Sequence, residues 1–579
     1  MSFTPAQLEF ITEPNHCVAL AGPGSGKTTS LVEKIVRLAN TPGTKIIAAT
    51  FTRDAADEMT NRLAKRVPLK MLESGRIQVN TWHSLTLDHR KRNHLSRRVL
   101  SPAHQFHLAK RIIANYVNAD NRVKALHRFE EIKCSLLSNF NEIEEEWFHH
   151  YQRELDTLNA IDLYDAIRDT ALQIGTRALP AFDATHLIVD ETQDNDEVQF
   201  HLADLHARLG MVTSMVGDDD QTVYEWRRAR GYEGMKEFSE RHHAKIISLG
   251  DNFRSLSAVI DASNRLISNN KGFRLPKTFV SRRGTGGTVQ IYSSGEVDTT
   301  SESIVDGISQ WAQEVASSGL VRYQVPTGSV AILARNNYLL DAAEASLIEA
   351  QIKYVRSGGS VWESEPADLL MTLLATFYTA DSRGLDVALQ IAGLQTSTIS
   401  AVNVRFRDNV MGFIGGESAL DDFGEHTQDV EAVAKRLAGL YAKARNNEIA
   451  SLIGSVAAFV KQIYAENSLY DTRMRKILRA VASGLIALRG PVLARLKQAR
   501  AKESRIDPCN TVVLQTFHGC KGMEFTNVFL LGVDQETIPG RSEIRAERRL
   551  LYVACTRAKD NLVITYTPGK GSMYLKELE

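Results

Sequence analysis

Residues 21–28 read Ala21-Gly22-Pro23-Gly24-Ser25-Gly26-Lys27-Thr28. They follow the apolar run 16–20 (His-Cys-Val-Ala-Leu) and precede a helix-like segment over 29–39. Strand, glycine-rich loop and helix in that order form the setting of a phosphate-binding loop. The glycines leave backbone N–H groups free to converge on phosphate oxygens. The helix that follows aims its positive end at the same place. Lys27 can reach the β- and γ-phosphates, and the Thr28 hydroxyl can hold Mg²⁺. The usual first glycine is Ala21, a small residue at the loop entry. The pattern predicts binding of a nucleoside triphosphate within an α/β fold.

At 579 residues the chain is too long for one core and argues for about three or four domains. Hydrophobic residues at 43% and charged residues at 24% are in the range of a soluble globular protein. Lys+Arg and Asp+Glu both total 69, so a nucleic-acid surface must be a local groove and not a global field. Cys17, Cys134, Cys509, Cys520 and Cys555 form no C-x2-C pair. That argues for reduced thiols and against a local four-cysteine metal site. The first residues, Met-Ser-Phe-Thr-Pro-Ala-Gln, lack the basic and apolar regions of a signal peptide. No apolar stretch is long enough to span a bilayer. The expected location is cytoplasmic.

Short apolar runs predict strands over 45–50, 77–81, 186–189, 212–216 and 246–249. A second set falls over 289–292, 330–333, 512–515, 528–531 and 562–565. Helix-period segments separate many of them, which predicts parallel sheets. Two long stretches, 85–181 and 367–505, read as helical without strand alternation. The expected architecture is two parallel-sheet α/β domains, each interrupted by a mainly helical insertion. The expected division is 1–84 with 182–254 (carrying the phosphate loop), 85–181, 255–366 with 506–579, and 367–505. Residues 284–287 (Gly-Thr-Gly-Gly) read as a loop of the second α/β domain.

The run Leu187-Ile188-Val189-Asp190-Glu191 ends an apolar strand in two carboxylates. A triphosphate hydrolase needs one carboxylate near Mg²⁺ and one to polarise the attacking water. Asp190 suits the first task and Glu191 the second. Val216 to Gln221 again ends a buried-looking strand, and Gln221 is placed to sense a γ-phosphate. Tyr224 and Trp226 are either core residues or a stacking platform for bases, where each contact contributes about 1–3 kcal/mol. Arg254 and Arg557 are candidates for the γ-phosphate. Arg548 and Arg549 suit structural ion pairs or a solvated face.

In sequence order these segments resemble superfamily 1A DNA helicases of the UvrD/Rep/PcrA type. Phe3-Thr4-Pro5-Ala6-Gln7 is similar to the Q motif and residues 21–29 to motif I. Residues 49–59, with Phe51 and Thr52, resemble motif Ia, and Thr81-Trp82-His83-Ser84 motif Ib. Asp190-Glu191-Thr192-Gln193-Asp194 resembles motif II, with Thr for the usual Ala. Residues 217–226 resemble motif III, and Asn252-Phe253-Arg254-Ser255 motif IV with Phe for Tyr. Residues 515–525 and 548–559 resemble motifs V and VI.

The resemblance implies an α/β fold of two RecA-like parallel-sheet motor domains, 1A (1–84 with 182–254) and 2A (255–366 with 506–579), with 1B (85–181) and a reduced 2B (367–505) as the helical insertions. It implies an ATP- and Mg²⁺-dependent motor that moves 3′ to 5′ on single-stranded DNA and opens duplexes at junctions. Gln7 and Phe253 would hold adenine and Glu524 the ribose. Residues 21–29 (Ala21, Gly22, Pro23, Gly24, Ser25, Gly26, Lys27, Thr28 and Thr29) would cradle the phosphates. Thr28 and Asp190 would hold the metal. Lys27, Asp190, Glu191, Gln221, Arg254 and Arg557 would carry the chemistry. Phe51, Thr52, His83, Tyr224, Trp226, Thr516 and His518 would line the DNA path. Such helicases often carry a larger second insertion. Residues 358–363 (Gly-Gly-Ser-Val-Trp-Glu) keep only part of a Gly-Gly-x-x-Phe-Phe-Glu signature, and no appended nuclease is apparent. The trimmed insertion motivates an alternative: an ATP-switched DNA-binding regulatory subunit of a nuclease, repair or defence complex.

Two basic runs stand apart. Arg90, Lys91, Arg92, Arg97 and Arg98 form one. Residues 473–505 carry ten Lys/Arg against the single acid Glu503. Each reads either as a phosphate contact or as a solvated helix face.

Overall fold

The computed structural model describes residues 3–136, 140–224, 228–293, 329–350, 352–406, 409–415, 423–464, 469–500 and 511–579. The chain forms two compact units. The first is Met1–Gly287 with Ser542–Thr556 and Glu577–Glu579; the second is Thr288–Arg541 with Arg557–Lys576.

The first unit holds β1 (Cys17–Ala21), β2 (Ile46–Thr50), β3 (Ile77–Thr81), β4 (Arg98–Val99), β5 (Ala160–Ile161), β6 (His186–Val189), β7 (Val212–Gly217), β8 (Lys245–Leu249), β9 (Asp251–Asn252) and β10 (Val280–Ser281). Its main sheet has the order β3-β2-β6-β7-β1-β8, with every pairing parallel. Alternation along the strands divides two cores. Val18, Leu20, Ile47, Ala49, Leu187 and Val189 face one side. Cys17, Ala19, Ala21, Ile46, Ala48 and Ile188 face the other. Burial on both faces explains why these strands read as continuous apolar runs.

Helix α1 (Pro5–Thr12) begins in a capping box, with Thr4 and Gln7 each accepting from the other's backbone N–H. Helix α2 (Lys27–Ala39) follows the phosphate loop. Buried Lys34 ties the two helices, donating to Phe10 O at 2.9 Å and Glu13 O at 2.8 Å at the carbonyl end of α1.

The first insertion is helical as expected, with helices Pro102–Ile113, Arg122–Lys133, Glu142–Thr157 and Leu163–Gly175. Its own core includes Ile112, Phe129, Trp147 and Tyr151. Two-residue strands β4 and β5 pair within it, too short to leave an alternation in the sequence. Among the described residues, no single helix is long and apolar enough to cross a membrane.

The second unit adds β11 (Thr288–Ser293), β12 (Val330–Ala334), β13 (Tyr354–Arg356), β14 (Val512–Thr516), β15 (Phe525–Leu531) and β16 (Ala558–Tyr566). The sheet order is β11-β16-β15-β12-β14-β13, again all parallel. Helices from Glu365–Thr379 to Val492–Arg500 form the second insertion around one continuous core.

Contacts place 255–287 and 542–556 with the first unit, whereas the sequence division puts them in the second α/β domain. The loop 284–287 moves with them. Lys277 and Arg274 tie 255–287 to the Asp218–Asp220 turn, and 542–556 and Glu577 join through Asn270 and Arg548. Asn270 donates to Arg545 O at 3.1 Å. Arg548 makes a two-pronged pair with Glu577 at 2.7 Å per contact and also donates to Asn270 Oδ1.

Candidate active site

The phosphate loop, the Asp190-Glu191 pair and the turn Asp218 to Gln221 all follow the carboxyl ends of adjacent strands β1, β6 and β7. That edge is where open α/β sheets bind ligands. Gly24 (φ +68°) and Gly26 (φ +76°) hold left-handed conformations. A Cβ on Gly24 would lie 2.4 Å from Arg254 Cβ, and one on Gly26 would lie 2.8 Å from Gln7 Nε2. The loop is therefore gripped on both sides. Gln7 Nε2 donates to Ser25 O at 3.0 Å. The Phe253 N–H donates to Gly24 O at 2.8 Å, and Asn252 Nδ2 donates to Pro23 O. The Ser25 hydroxyl is buried inside this cradle and has no hydrogen-bond partner among the described atoms.

Lys27 Nζ lies 3.1 Å from Asp190 Oδ1 and also bonds Glu191 Oε1. Burial alone would lower its ammonium, but the two carboxylates more than offset that and hold it above its ordinary value. Burial pushes the Asp190 carboxyl up, against the pull of Lys27. Glu191 has left-handed backbone, φ 48° and ψ 43°, on a residue that is not glycine. Such a conformation costs on the order of 1–3 kcal/mol and persists where its surroundings impose it. Here the Glu191 N–H donates to Asp190 Oδ1 at 2.8 Å, and Gln193 Nε2 donates to Glu191 Oε2. Thr192, the unusual residue of this segment, satisfies its buried hydroxyl on Val189 O at 2.9 Å. The hard oxygen donors of Thr28 and Asp190 fit Mg²⁺ by type.

Gln193 links two strand ends, because its Oε1 also accepts the Asp218 N–H at 3.0 Å. Asp218 in turn accepts Gln221 Nε2 at 2.8 Å. Beyond that turn, the Tyr224 ring stacks on Phe51, with centroids 5.6 Å apart and 17° between planes. Two of the aromatics expected on the DNA path are thus brought together. Trp226 lies outside the described residues. Thr52 caps helix Arg53–Ala64, and His83 lies in the first turn of helix Trp82–Arg92. The Phe253 ring is 45% exposed beside the loop, and Arg254 Nη1 reaches Thr556 O at 3.5 Å.

Two residues absent from the sequence reading complete this side. Lys277, fully buried, bonds Asp219 and lies 3.2 Å from Asp218 and 2.9 Å from Asp220. Arg274 grips Asp220 at 2.7 and 3.0 Å, and the Leu275 N–H donates to Asp219 at 2.8 Å. Burial pushes Asp219 up to about 6 against the pull of Lys277. The three-aspartate run was the available signal, since such a run cannot be buried without cations.

In the second unit, Thr516 Oγ1 accepts the Gly519 N–H at 3.2 Å and shapes the turn that carries His518. Glu524 pairs with Lys559 at 2.6 Å. Arg557 is buried and donates to Met523 O at 3.1 Å. In the basic run from 473, Arg473 pairs with Asp341, and the exposed Arg479 and Arg500 pair with Glu349 and Asp368. Arg495 caps the carbonyls of Leu485, Ile486 and Gly490. Residues 501–505 lie outside the described residues. In the first basic run Arg90 is buried against Gln173, and Arg97 pairs with Asp156.

A model of the UvrD/REP helicase N-terminal domain matches residues 3–243, and a model of the UvrD-like helicase C-terminal domain matches residues 414–569. Similar proteins include the ATP-dependent DNA helicase Rep of Buchnera aphidicola, 27% identical over 96% of this chain and 92% of that protein. DNA helicase II of Escherichia coli is 26% identical over 100% of this chain and 86% of its own length. The ATP-dependent DNA helicase PcrA of Staphylococcus aureus is 25% identical over 96% and 82%. With both family models on one chain, in order, and these relatives matched over 82% or more of their own length, the chain belongs to the UvrD/REP helicase family.

Proposed function

We propose that this chain is an ATP-dependent DNA helicase that moves 3′ to 5′ on single-stranded DNA and opens duplexes at junctions. The observation that carries the reading is the Lys27, Asp190 and Glu191 constellation at the mouth of the phosphate loop. There a cation already neutralised by carboxylates can exchange them for phosphate oxygens. Gln7 uses one amide donor and one lone pair internally, so one of each remains to read adenine. Phe253 stacks on that base and Glu524 holds the ribose. Lys27 grips the terminal phosphates. Thr28 and Asp190 hold Mg²⁺, which when bound neutralises phosphate charge. Glu191, released from Lys27, takes the proton of the attacking water. Gln221, Arg254 and Arg557 report the γ-phosphate. Phe51, Thr52, His83, Tyr224, Trp226, Thr516 and His518 line the DNA path. The four-part division into 1A, 1B, 2A and a reduced 2B, and a cytoplasmic setting, belong to the same reading.

The test is opening of labelled duplexes with a single-stranded tail on one side. The reading expects ATP-dependent opening of the 3′-tailed duplex and little of the 5′-tailed one. Equal opening of both, or opening without ATP, contradicts it.

A further inference from the structure

The three aspartates of the third motif leave their charge unexplained. Asp218, Asp219 and Asp220 are all buried, and Asp218 accepts from Gln221, a group with a functional assignment. Three carboxylates on consecutive residues repel, and in a buried site that repulsion is strong. Lys277 meets all three from outside the motif, and Arg274 holds Asp220 with two prongs. The same turn carries Gln221 at its end and Tyr224 three residues later.

We propose that Lys277, aided by Arg274, is a positioning residue that fixes the Asp218–Gln221 turn and so holds the γ-phosphate sensor and the base-stacking ring on one rigid piece. The assignment rests on the proposed function for the roles of Gln221 and Tyr224. Lys277 touches neither substrate; it acts through the aspartates. Its ammonium bridges three acceptors, as a point charge with three donors can. Without it, Arg274 alone faces three carboxylates. The Asp220 N–H bond to Asp218 at 3.2 Å and the Leu275 N–H bond to Asp219 at 2.8 Å then lose their frame.

The test uses the full chain with Lys277→Met, Lys277→Arg and the double variant Asp219→Asn with Lys277→Met. The double variant keeps the net charge of the cluster and guards against a single variant that does not fold. Hydrolysis at saturating DNA is scaled to the fraction of chains that bind a fluorescent ATP analogue. Amide hydrogen exchange is followed over 218–224 and 275. The proposal expects kcat per binding-competent chain to fall about 10- to 100-fold in Lys277→Met and in the double variant. KM for ATP stays within about threefold, Lys277→Arg recovers much of the rate, and exchange speeds up over 218–224 but not over 22–28. A folded double variant with wild-type kcat and exchange would show that Lys277 only balances charge, and would overturn the proposal. Exchange alone decides it if the wild-type chain proves inactive on DNA, an outcome that counts against the proposed function instead.

Discussion

Lys27 and Lys277 are both lysines set among carboxylates that follow strands of the first sheet. The Lys27 side chain is 16% exposed and its partner Glu191 is 32% exposed. Lys277 and two of its aspartates are 0% exposed. Burial alone would lower both ammonium groups, and in both the carboxylates hold them above their ordinary value. The difference is access. Under the proposed function a triphosphate enters at Lys27 and replaces its carboxylates, so that pair would be broken in turnover. Lys277 has no exposed side-chain surface, and under the inference above its bonds hold shape. Similar charge chemistry would then serve turnover at one place and rigidity at the other. Solvent exposure decides between them, because a sealed ion pair loses several kcal/mol when a partner is removed.

The largest effect expected on the open side is Glu191→Gln. The glutamine keeps the shape and cannot take a proton. The kcat for ATP should fall by about 10²–10⁴-fold while ATP stays bound, as read by single-turnover hydrolysis beside nucleotide binding. Rapid steady hydrolysis by that variant would remove Glu191 from its role. Next comes the stacked pair. Tyr224→Ala should weaken single-stranded DNA binding by roughly 1–3 kcal/mol for the base it loses. Fluorescence titration measures this, and an unchanged Kd would return Tyr224 to the core.

Sealed groups should act on stability instead, and His206 offers a test by pH. Its ring is buried, donates from Nδ1 to Leu202 O at 2.7 Å and accepts the Phe182 N–H on Nε2 at 3.0 Å. Burial lowers it from 6.5 to about 4. Protonation therefore favours the unfolded chain. The stability it contributes is complete above about pH 6.5 and is lost as pH falls toward 4. Between pH 7 and pH 5 the wild type should lose about 2 kcal/mol more than His206→Gln, seen in denaturant melts at the two values. Equal losses would contradict the shift. The smallest effect expected is Thr192→Ala. Its hydroxyl bonds only Val189 O, so stability should fall by about 1 kcal/mol and steady-state kcat should barely move. A large loss of kcat would give Thr192 a part in the chemistry.

The open site was legible because its parts are contiguous runs. The phosphate loop is eight consecutive residues, and Asp190-Glu191 ends a recognisable strand. The central strands, such as β2, β7, β12 and β15, could be placed because both of their faces are buried. The sealed site was legible only as the Asp218–Asp220 run, not in the cations that meet it. Lys277 stands 58 positions from Asp219, in a Phe-Arg-Leu-Pro-Lys segment with no periodic signal. Its meaning depends on a tertiary approach. The basic stretch after 473 was ambiguous for the same reason. Whether an arginine meets phosphate or caps a helix, as Arg495 does, is set by the sharp turn before it and not by the count of charges. Segments 255–287 and 542–556 group with the first unit through Lys277, Arg274, Asn270 and Arg548, side chains whose partners no local pattern announces.

The most direct measurement is steady-state ATP hydrolysis by the full chain with and without single-stranded DNA. A DNA-driven motor is strongly stimulated by DNA, and Glu191→Gln abolishes that hydrolysis. Hydrolysis that is indifferent to DNA, or absent with DNA bound, would contradict a DNA-driven motor and favour a nucleotide switch.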